Sequence, residues 1–225
     1  WNPTTGEGHL PSLLRPSILR QIGSYGDVNT LETANKMFEE YILSPSSINP
    51  DLRSAVFELV AQSGSFNSYE TLHNLAIQSQ GQEEKLRLLF SLASFNDQSL
   101  LTKTLNIAMG PEVRSQDTVS LISAVAGNRI GRKLAWDFIK NNWIELNRRY
   151  GAGGFLIMRL ASITGFFNST DLATDVEAFF KENPAPSANR TIQQSLERIR
   201  LNTQWINLNQ QCLTEWFNSN VEIDV

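Results

Sequence analysis

The stretch "NPDLRSAVFELVAQSGSFNSYETLHNLA", residues 49 to 76, decides the fold class. Asn49 before Pro50 predicts a helix start, because proline suits the first helical position and asparagine caps the free amides beside it. Apolar residues then recur at every third or fourth position, as they do on one face of a helix. Asn67 and Ser68 precede a second such series. The stretch therefore predicts a helix, a short turn and a second helix.

The same period continues through the chain. Glu83 and Glu84 open a further helix, Asp97 precedes another, and Gly110-Pro111 ends it. The alternation typical of strands is nowhere sustained, so the sequence predicts an all-α protein. Helices of about 11 to 15 residues joined by short turns predict a curved α-solenoid of stacked antiparallel helix pairs, HEAT-like or armadillo-like and without a strict sequence period.

The C-terminal region predicts one loop and one long helix. The prolines of "ENPAPSANR", residues 182 to 190, forbid helix and predict a loop. From about residue 191 to 217 an apolar face predicts the long final helix, and we expect Trp205 and Trp216 to cover the end of the stack. Because linkers are scarce, we expect one continuous domain over residues 1–225, with residues 218–225 as a tail.

Composition narrows the classes of function. The 225 residues are 41% hydrophobic, which is enough for a core, and their net charge of -4 argues against nucleic acid as a partner. No apolar run is long enough to span a membrane, and the first residues do not form a signal peptide. Cys212 is the only cysteine, which fits a reducing compartment.

Residues 125 to 150, "VAGNRIGRKLAWDFIKNNWIELNRRY", combine glycines with basic residues as a phosphate-binding loop does. No serine or threonine follows Gly131-Arg132-Lys133 to hold magnesium, so the nucleotide-binding pattern is incomplete. We read the glycines as helix ends, and the stripe from Trp136 to Leu146 as the buried face of one long helix. Arg129, Arg132 and Lys133 at a helix start oppose the helix dipole, so a carboxylate partner and a solvated face remain alternatives.

No catalytic or metal site can be assembled from the sequence. His9 and His73 lie far apart, and neither begins the His-Glu-x-x-His pattern of zinc peptidases. We expect His73 to be a hydrogen-bonded structural residue. Cys212 has no histidine within local reach to activate it. We therefore predict that this chain alone is not an enzyme and holds no cofactor.

Three segments resemble one known family: "WNPTTGEGHLPSLLR", "EVRSQDTVSLISAVAGNRIGRKLAWDFIKNNWIELNRRYGAGGFLI" and "ENPAPSANRTIQQSLERIRLN". They are similar to the C-terminal helical domain of the zinc aminopeptidases of the aminopeptidase N family, collinearly from about residue 1 to 217. "GEGHL" and "PAPSANRTIQQ" are most similar to the puromycin-sensitive branch, which implies a cytoplasmic location. The resemblance implies a longer parent enzyme, with zinc and the catalytic motifs in an earlier domain.

The resemblance also implies a role. In that family the C-terminal domain closes over the catalytic domain, so its partners are that domain of the same chain and peptide substrates. Arg114, Arg129, Arg132 and Lys133 are then candidates for holding the body or the C-terminal carboxylate of a peptide, and Asp117 for orienting one of those arginines.

Two other readings stay open. One is a free-standing HEAT-like or armadillo-like scaffold that binds proteins, and the other is an independent hydrolase. The start at Trp1, without an initiator methionine, leads us to expect a piece of a longer protein.

Overall fold

The computed structural model describes residues 1–2 and 5–220, and within them the chain is helical with no β-strand. This confirms the all-α prediction. The described residues form twelve α-helices, joined by short turns or single turns of 3₁₀ helix: α1 (His9–Ser24), α2 (Val28–Leu43), α3 (Pro50–Ser63), α4 (Phe66–Gln78), α5 (Gln82–Ser91), α6 (Gln98–Met109), α7 (Ser115–Gly127), α8 (Gly131–Asn141), α9 (Trp143–Tyr150), α10 (Phe155–Ser162), α11 (Thr170–Glu182) and α12 (Asn189–Asn220).

Helix starts follow the local chemistry that the sequence predicts. The Asn49 side chain accepts a hydrogen bond from the Asp51 amide at 3.0 Å, and Asp97 accepts from the amides of the first turn of α6. The start of α4 differs from the prediction by two residues, because Ser65 is its cap. The Ser65 amide donates to the Ser68 hydroxyl at 3.3 Å. Ser68 thus stabilises the first turn from inside the helix.

The chain divides into two compact units, residues 1–135 and 136–225. In the first, α3 packs against α1, α2 and α5, and aromatic residues fill the space between helices. Phe57 meets Tyr41 and Phe38 edge-on, with ring centroids 5.0 and 5.9 Å away. The single domain expected over residues 1–225 stays a prediction.

In the second unit, α12 packs against α10 and α11, and an aromatic core surrounds Trp136. The stripe expected on one long helix is buried, but the prediction of one helix is wrong. The chain breaks at Asn142, whose side-chain amide donates to the Phe138 carbonyl at 2.8 Å. The Asn142 backbone amide donates to the same carbonyl at 3.0 Å, so the side-chain bond adds a second donor there, and α9 starts at Trp143.

Two further expectations need correction. Trp205 and Trp216 do not cover the end of a stack, since each is more than half exposed on α12. The predicted loop is shorter than residues 182–190, because α11 runs to Glu182 and α12 starts at Asn189, with a 3₁₀ turn at Pro186–Ala188 between them. Of the expected tail, residues 218–220 continue α12 and residues 221–225 lie outside the described part.

An asparagine clamp recurs in the two units. In the first, Asn128 Nδ2 donates to the carbonyls of Ala93 and Phe95 at 3.0 and 2.9 Å. In the second, Asn202 Nδ2 donates in the same way to Gly165 and Phe167, at 3.2 and 2.9 Å. Each clamp holds two carbonyls of a 3₁₀ turn and the residue after it, following α5 in the first unit and α10 in the second.

Candidate functional site

The five residues expected to bind substrate fall into two groups at opposite ends of α7. Arg114 directly precedes that helix, and its Nε donates to Asp117 Oδ2 at 2.7 Å. Arg129 follows its C-terminal end. Since α7 has 13 residues, it is about 20 Å long, and the two groups cannot contact one ligand carboxylate together.

The second group occupies the turn after α7 and the first turn of α8. Arg129 is exposed in the turn, Arg132 is half-buried and Lys133 is exposed. The Asn128 Oδ1 atom accepts from the Ile130 amide at 2.9 Å, which fixes the backbone on both sides of Arg129. The Nδ2 atom of the same side chain donates to the Ala93 and Phe95 carbonyls, so both polar atoms of Asn128 hold the turn in place.

Close packing explains Gly131, one of the glycines by which residues 125 to 150 resemble a phosphate-binding loop. A Cβ atom at Gly131 would stand 2.3 Å from the Val125 carbonyl oxygen and 2.8 Å from its Cγ1. Such distances are far inside van der Waals contact, so the turn closes onto α7 only with glycine here. Gly131 serves the close approach of two helices.

Arg129 borders a cavity within the first unit, with a volume of about 640 Å³. Residues of α1 and α3 form one wall, and the ends of α5 and α7 form the other. The charged and amide side chains at this cavity are Arg20, Gln21, Glu58, Gln62, Asn96, Asn128 and Arg129. The cavity is open to solvent, and both polar and apolar residues line it.

Arg20 and Glu58 are functional candidates that sequence reasoning missed. The Arg20 Nη1 atom lies 3.1 Å from Glu58 Oε1 and 3.2 Å from Oε2. Burial raises the pKa of Glu58 above its usual value, although the charge and hydrogen bonds of Arg20 act in the opposite direction. The two residues are far apart in sequence and on different helices, so no local spacing signals the pair.

The cavity carries an excess of positive charge. Arg20 and Arg129 stand against one carboxylate, Glu58. Within the described residues, Arg129 makes no hydrogen bond or ion pair, whereas Arg20 is engaged by Glu58. A guanidinium with unused donors beside an open cavity can bind a carboxylate through paired charge-assisted hydrogen bonds.

His73 lies on α4 and Cys212 on α12. His73 is buried, with Nε2 at 2.7 Å from Glu112 Oε2, and Cys212 is exposed on α12. In the described part of the chain no three side chains of the metal-binding types come together. The same part contains no helix of the length and apolar character needed to cross a membrane.

Comparison with known proteins places this architecture among aminopeptidase domains. Residues 1–201 match the ERAP1-like C-terminal domain family. The chain is 32% identical to Aminopeptidase M1 of Arabidopsis thaliana over 212 residues, covering 92% of this chain and 24% of that protein. It is 31% identical to Glutamyl aminopeptidase of Sus scrofa, covering 93% and 22%, and 32% identical to Aminopeptidase N of Bos taurus, covering 83% and 20%. The chain thus spans about a quarter of the length of the relatives it matches.

Proposed function

This chain belongs to the ERAP1-like C-terminal domain family, and we propose that it is the non-catalytic C-terminal domain of a zinc-dependent aminopeptidase. The relatives that it matches are named as aminopeptidases, and the chain corresponds to about a quarter of each. The zinc and the groups that cleave the N-terminal residue of a peptide then belong to a catalytic domain of the same parent chain. In this proposal the present domain encloses the catalytic chamber, takes part in its closure and holds the substrate.

The observation that supports this proposal is the guanidinium of Arg129, which has no partner among the described residues and borders the open, positively charged cavity of the first unit. A peptide longer than a few residues ends in a carboxylate, and Arg129 offers that group donors that no residue in the described part of the chain uses. Arg20 lies on the same cavity and adds a second positive charge. The Asn128 contacts support a fixed position for Arg129, which lowers the ordering cost of binding.

The other four expected residues take different parts in this proposal. Arg132 and Lys133 add positive charge near Arg129, at the start of α8. Arg114 and Asp117 lie at the far end of α7 and pair with each other, so we assign them no contact with the same carboxylate. The assignment to the puromycin-sensitive branch and the cytoplasmic location are proposals supported by "GEGHL", "PAPSANRTIQQ" and the single cysteine.

Steady-state kinetics of the parent enzyme tests this function. We expect Arg129→Ala to lower kcat/KM about tenfold for peptides several residues long, the loss typical of one charge-assisted hydrogen bond. A single-residue reporter amide, which is too short to reach the cavity, should be turned over almost normally. Arg148→Ala is the matched control, because Arg148 is exposed in the second unit and paired with Glu145.

Two results would count against the proposal. One is an Arg129→Ala enzyme that handles long peptides and the short reporter in the same ratio as the unmodified enzyme. The other is an equal loss with Arg148→Ala, since a general effect of surface charge would then account for the result.

A further inference from the structure

The ion pair between Arg20 and Glu58 is loose in its geometry. A single nitrogen, Arg20 Nη1, faces both carboxylate oxygens, at 3.1 and 3.2 Å. A guanidinium that binds a carboxylate tightly uses two nitrogens in parallel, at about 2.7 to 2.9 Å. Both side chains also contact solvent, since Arg20 is 40% and Glu58 is 33% exposed. Separation of this pair therefore costs little.

Glu58 is the acidic member of a cavity that is otherwise basic. The other charged side chains among the described lining residues are Arg20 of α1 and Arg129 after α7. The helices α5 and α7 line the cavity with uncharged residues, and His9 and His73 do not line it. The helices α2 and α4 also pack against α3 but contribute no described residue to the lining. Two arginines thus face one carboxylate, and protonation of that carboxylate leaves both positive charges unopposed.

We propose that Glu58 is an internal competitor of the peptide: while ionised it occupies Arg20, and once protonated it leaves the charge of Arg20 to act with Arg129 on the peptide carboxylate. The proposal rests on the proposed function, because it concerns the affinity of the same cavity for that carboxylate. It adds regulation by pH, since the cavity then binds its ligand more tightly in mildly acidic solution.

Glu58 takes up its proton before the ligand does. Burial raises the pKa of Glu58 above the ordinary glutamate value, against the opposing effect of Arg20. The C-terminal carboxyl group of a peptide has a pKa of about 3.5. As the pH falls from neutrality toward about 5, Glu58 becomes protonated in part while the peptide remains an anion. Arg20 then loses its internal partner and the ligand keeps its charge.

Carboxylate binding and protonation of Glu58 favour each other. A bound anion in the cavity disfavours the ionised form of Glu58, and a neutral Glu58 removes a like charge from the surroundings of the ligand. Because such coupling is reciprocal, the free-acid peptide should bind with net uptake of protons in mildly acidic solution. The C-terminal amide of the same peptide carries no charge at that end and should show much less uptake.

Calorimetric titration of the chain tests the proposal with one peptide, as the free acid and as the C-terminal amide, at about pH 7.5 and about pH 5. The measured quantity is the ratio of the amide dissociation constant to the acid dissociation constant, because this ratio cancels effects of pH on the rest of the peptide. In the unmodified chain the ratio should rise as the pH falls. In Glu58→Gln it should already be about fivefold higher at neutral pH, the effect of one partly exposed charge, and should not change with pH.

Glu70→Gln is the matched control in the same unit. Glu70 pairs with Lys103 at side-chain exposures of 34% and 39%, close to those of Glu58 and Arg20, but it does not line the cavity. Its replacement should leave the ratio and the pH dependence as they are in the unmodified chain. Circular dichroism at both pH values confirms that each variant is folded.

Two results would overturn the role of Glu58 and leave the proposed function standing. One is a Glu58→Gln chain whose ratio at neutral pH equals that of the unmodified chain, and the other is a pH dependence that persists in Glu58→Gln. In both cases a loss of the acid preference in Arg129→Ala would still support the carboxylate site. A ratio of about one in the unmodified chain at both pH values would contradict the proposed function itself, and the role of Glu58 with it.

Discussion

Replacement of Trp136 by alanine measures how much the aromatic core contributes to the second unit. The Trp136 side chain is fully buried, with Phe179 and Phe180 ring centroids at 5.1 and 5.8 Å. Its indole N–H donates to Asp175 Oδ2 at 2.6 Å, and Lys140 Nζ lies 5.5 Å from the ring centroid. The change therefore removes a buried ring, a hydrogen bond to a carboxylate and a cation–π contact at once.

The magnitude follows from the area and the cavity. An indole buries about 200 Å² of largely apolar surface, which corresponds to about 5 kcal/mol at 25 cal/mol per Å². Partial relaxation of the cavity brings the expected cost of Trp136→Ala to about 3 to 5 kcal/mol. A chain of this size should then lose at least about 6 °C in Tm. The measurement is urea unfolding followed by circular dichroism.

Trp136→Phe separates the hydrogen bond from the packing. It keeps an aromatic ring but removes the indole N–H, and Asp175 retains its contacts with Lys140 at 2.9 and 3.0 Å. We expect a loss of about 1.5 to 3 kcal/mol, the range for hydrogen bonds to charged groups. Ile144→Ala, at an exposed position, should change stability by less than about 0.5 kcal/mol. If Trp136→Ala cost no more than Ile144→Ala, the reasoning from burial would be refuted.

Three further predictions concern the clamps and the charged groups. Asn128→Ala and Asn202→Ala should each lower the free energy of unfolding by about 1 to 3 kcal/mol in the urea assay, because each removes the side-chain donor of two backbone carbonyls. Asn35→Ala, at an exposed position on α2, should have almost no effect, and an equal loss in all three variants would contradict the clamp. Glu58→Gln should change the free energy of unfolding by less than about 1 kcal/mol in that assay. Burial raises the pKa of Glu58 and makes its charge unfavourable, and its ion pair with Arg20 is partly exposed, so the two effects nearly cancel. A larger loss would show that the ion pair outweighs the cost of burying the charge. Hydrogen bonds from Arg148 and Arg149 lower the pKa of Glu145 to about 2. The contribution of these bonds to stability is therefore present above the ordinary glutamate pKa and is lost as the pH falls toward 2. An NMR titration that places the Glu145 carboxyl pKa near 4.5 would contradict this.

Helix positions could be predicted from the sequence because they depend on local chemistry. Asn49 and Asp97 cap helices with their own side chains, and the three- and four-residue period marks the buried faces. The break at Asn142 gave no such signal. Ile139 and Trp143 are four residues apart, and both are buried whether the helix is continuous or broken. The apolar period is the same for a continuous helix and for one interrupted at a single residue, so it does not report the break.

The candidate site was predictable only in part, because a cavity joins residues that are distant in sequence. Arg129 stood out by its charge at a helix start, but Arg20 and Glu58 meet only through the packing of α1 on α3. The three- and four-residue spacing of apolar residues also does not identify what packs against them. Trp205 continues the pattern of the buried part of α12, yet more than half of its surface is exposed. Tertiary contacts decided each of these outcomes.

The central claim is that Arg129 and its cavity hold the C-terminal carboxylate of a peptide. Calorimetric titration of the chain with one peptide, as the free acid and as the C-terminal amide, tests it most directly. We predict that the acid binds about tenfold more tightly, that Arg129→Ala removes this difference, and that Arg114→Ala at the far end of α7 preserves it. Equal affinities for acid and amide, or the same loss with Arg114→Ala, would contradict the account.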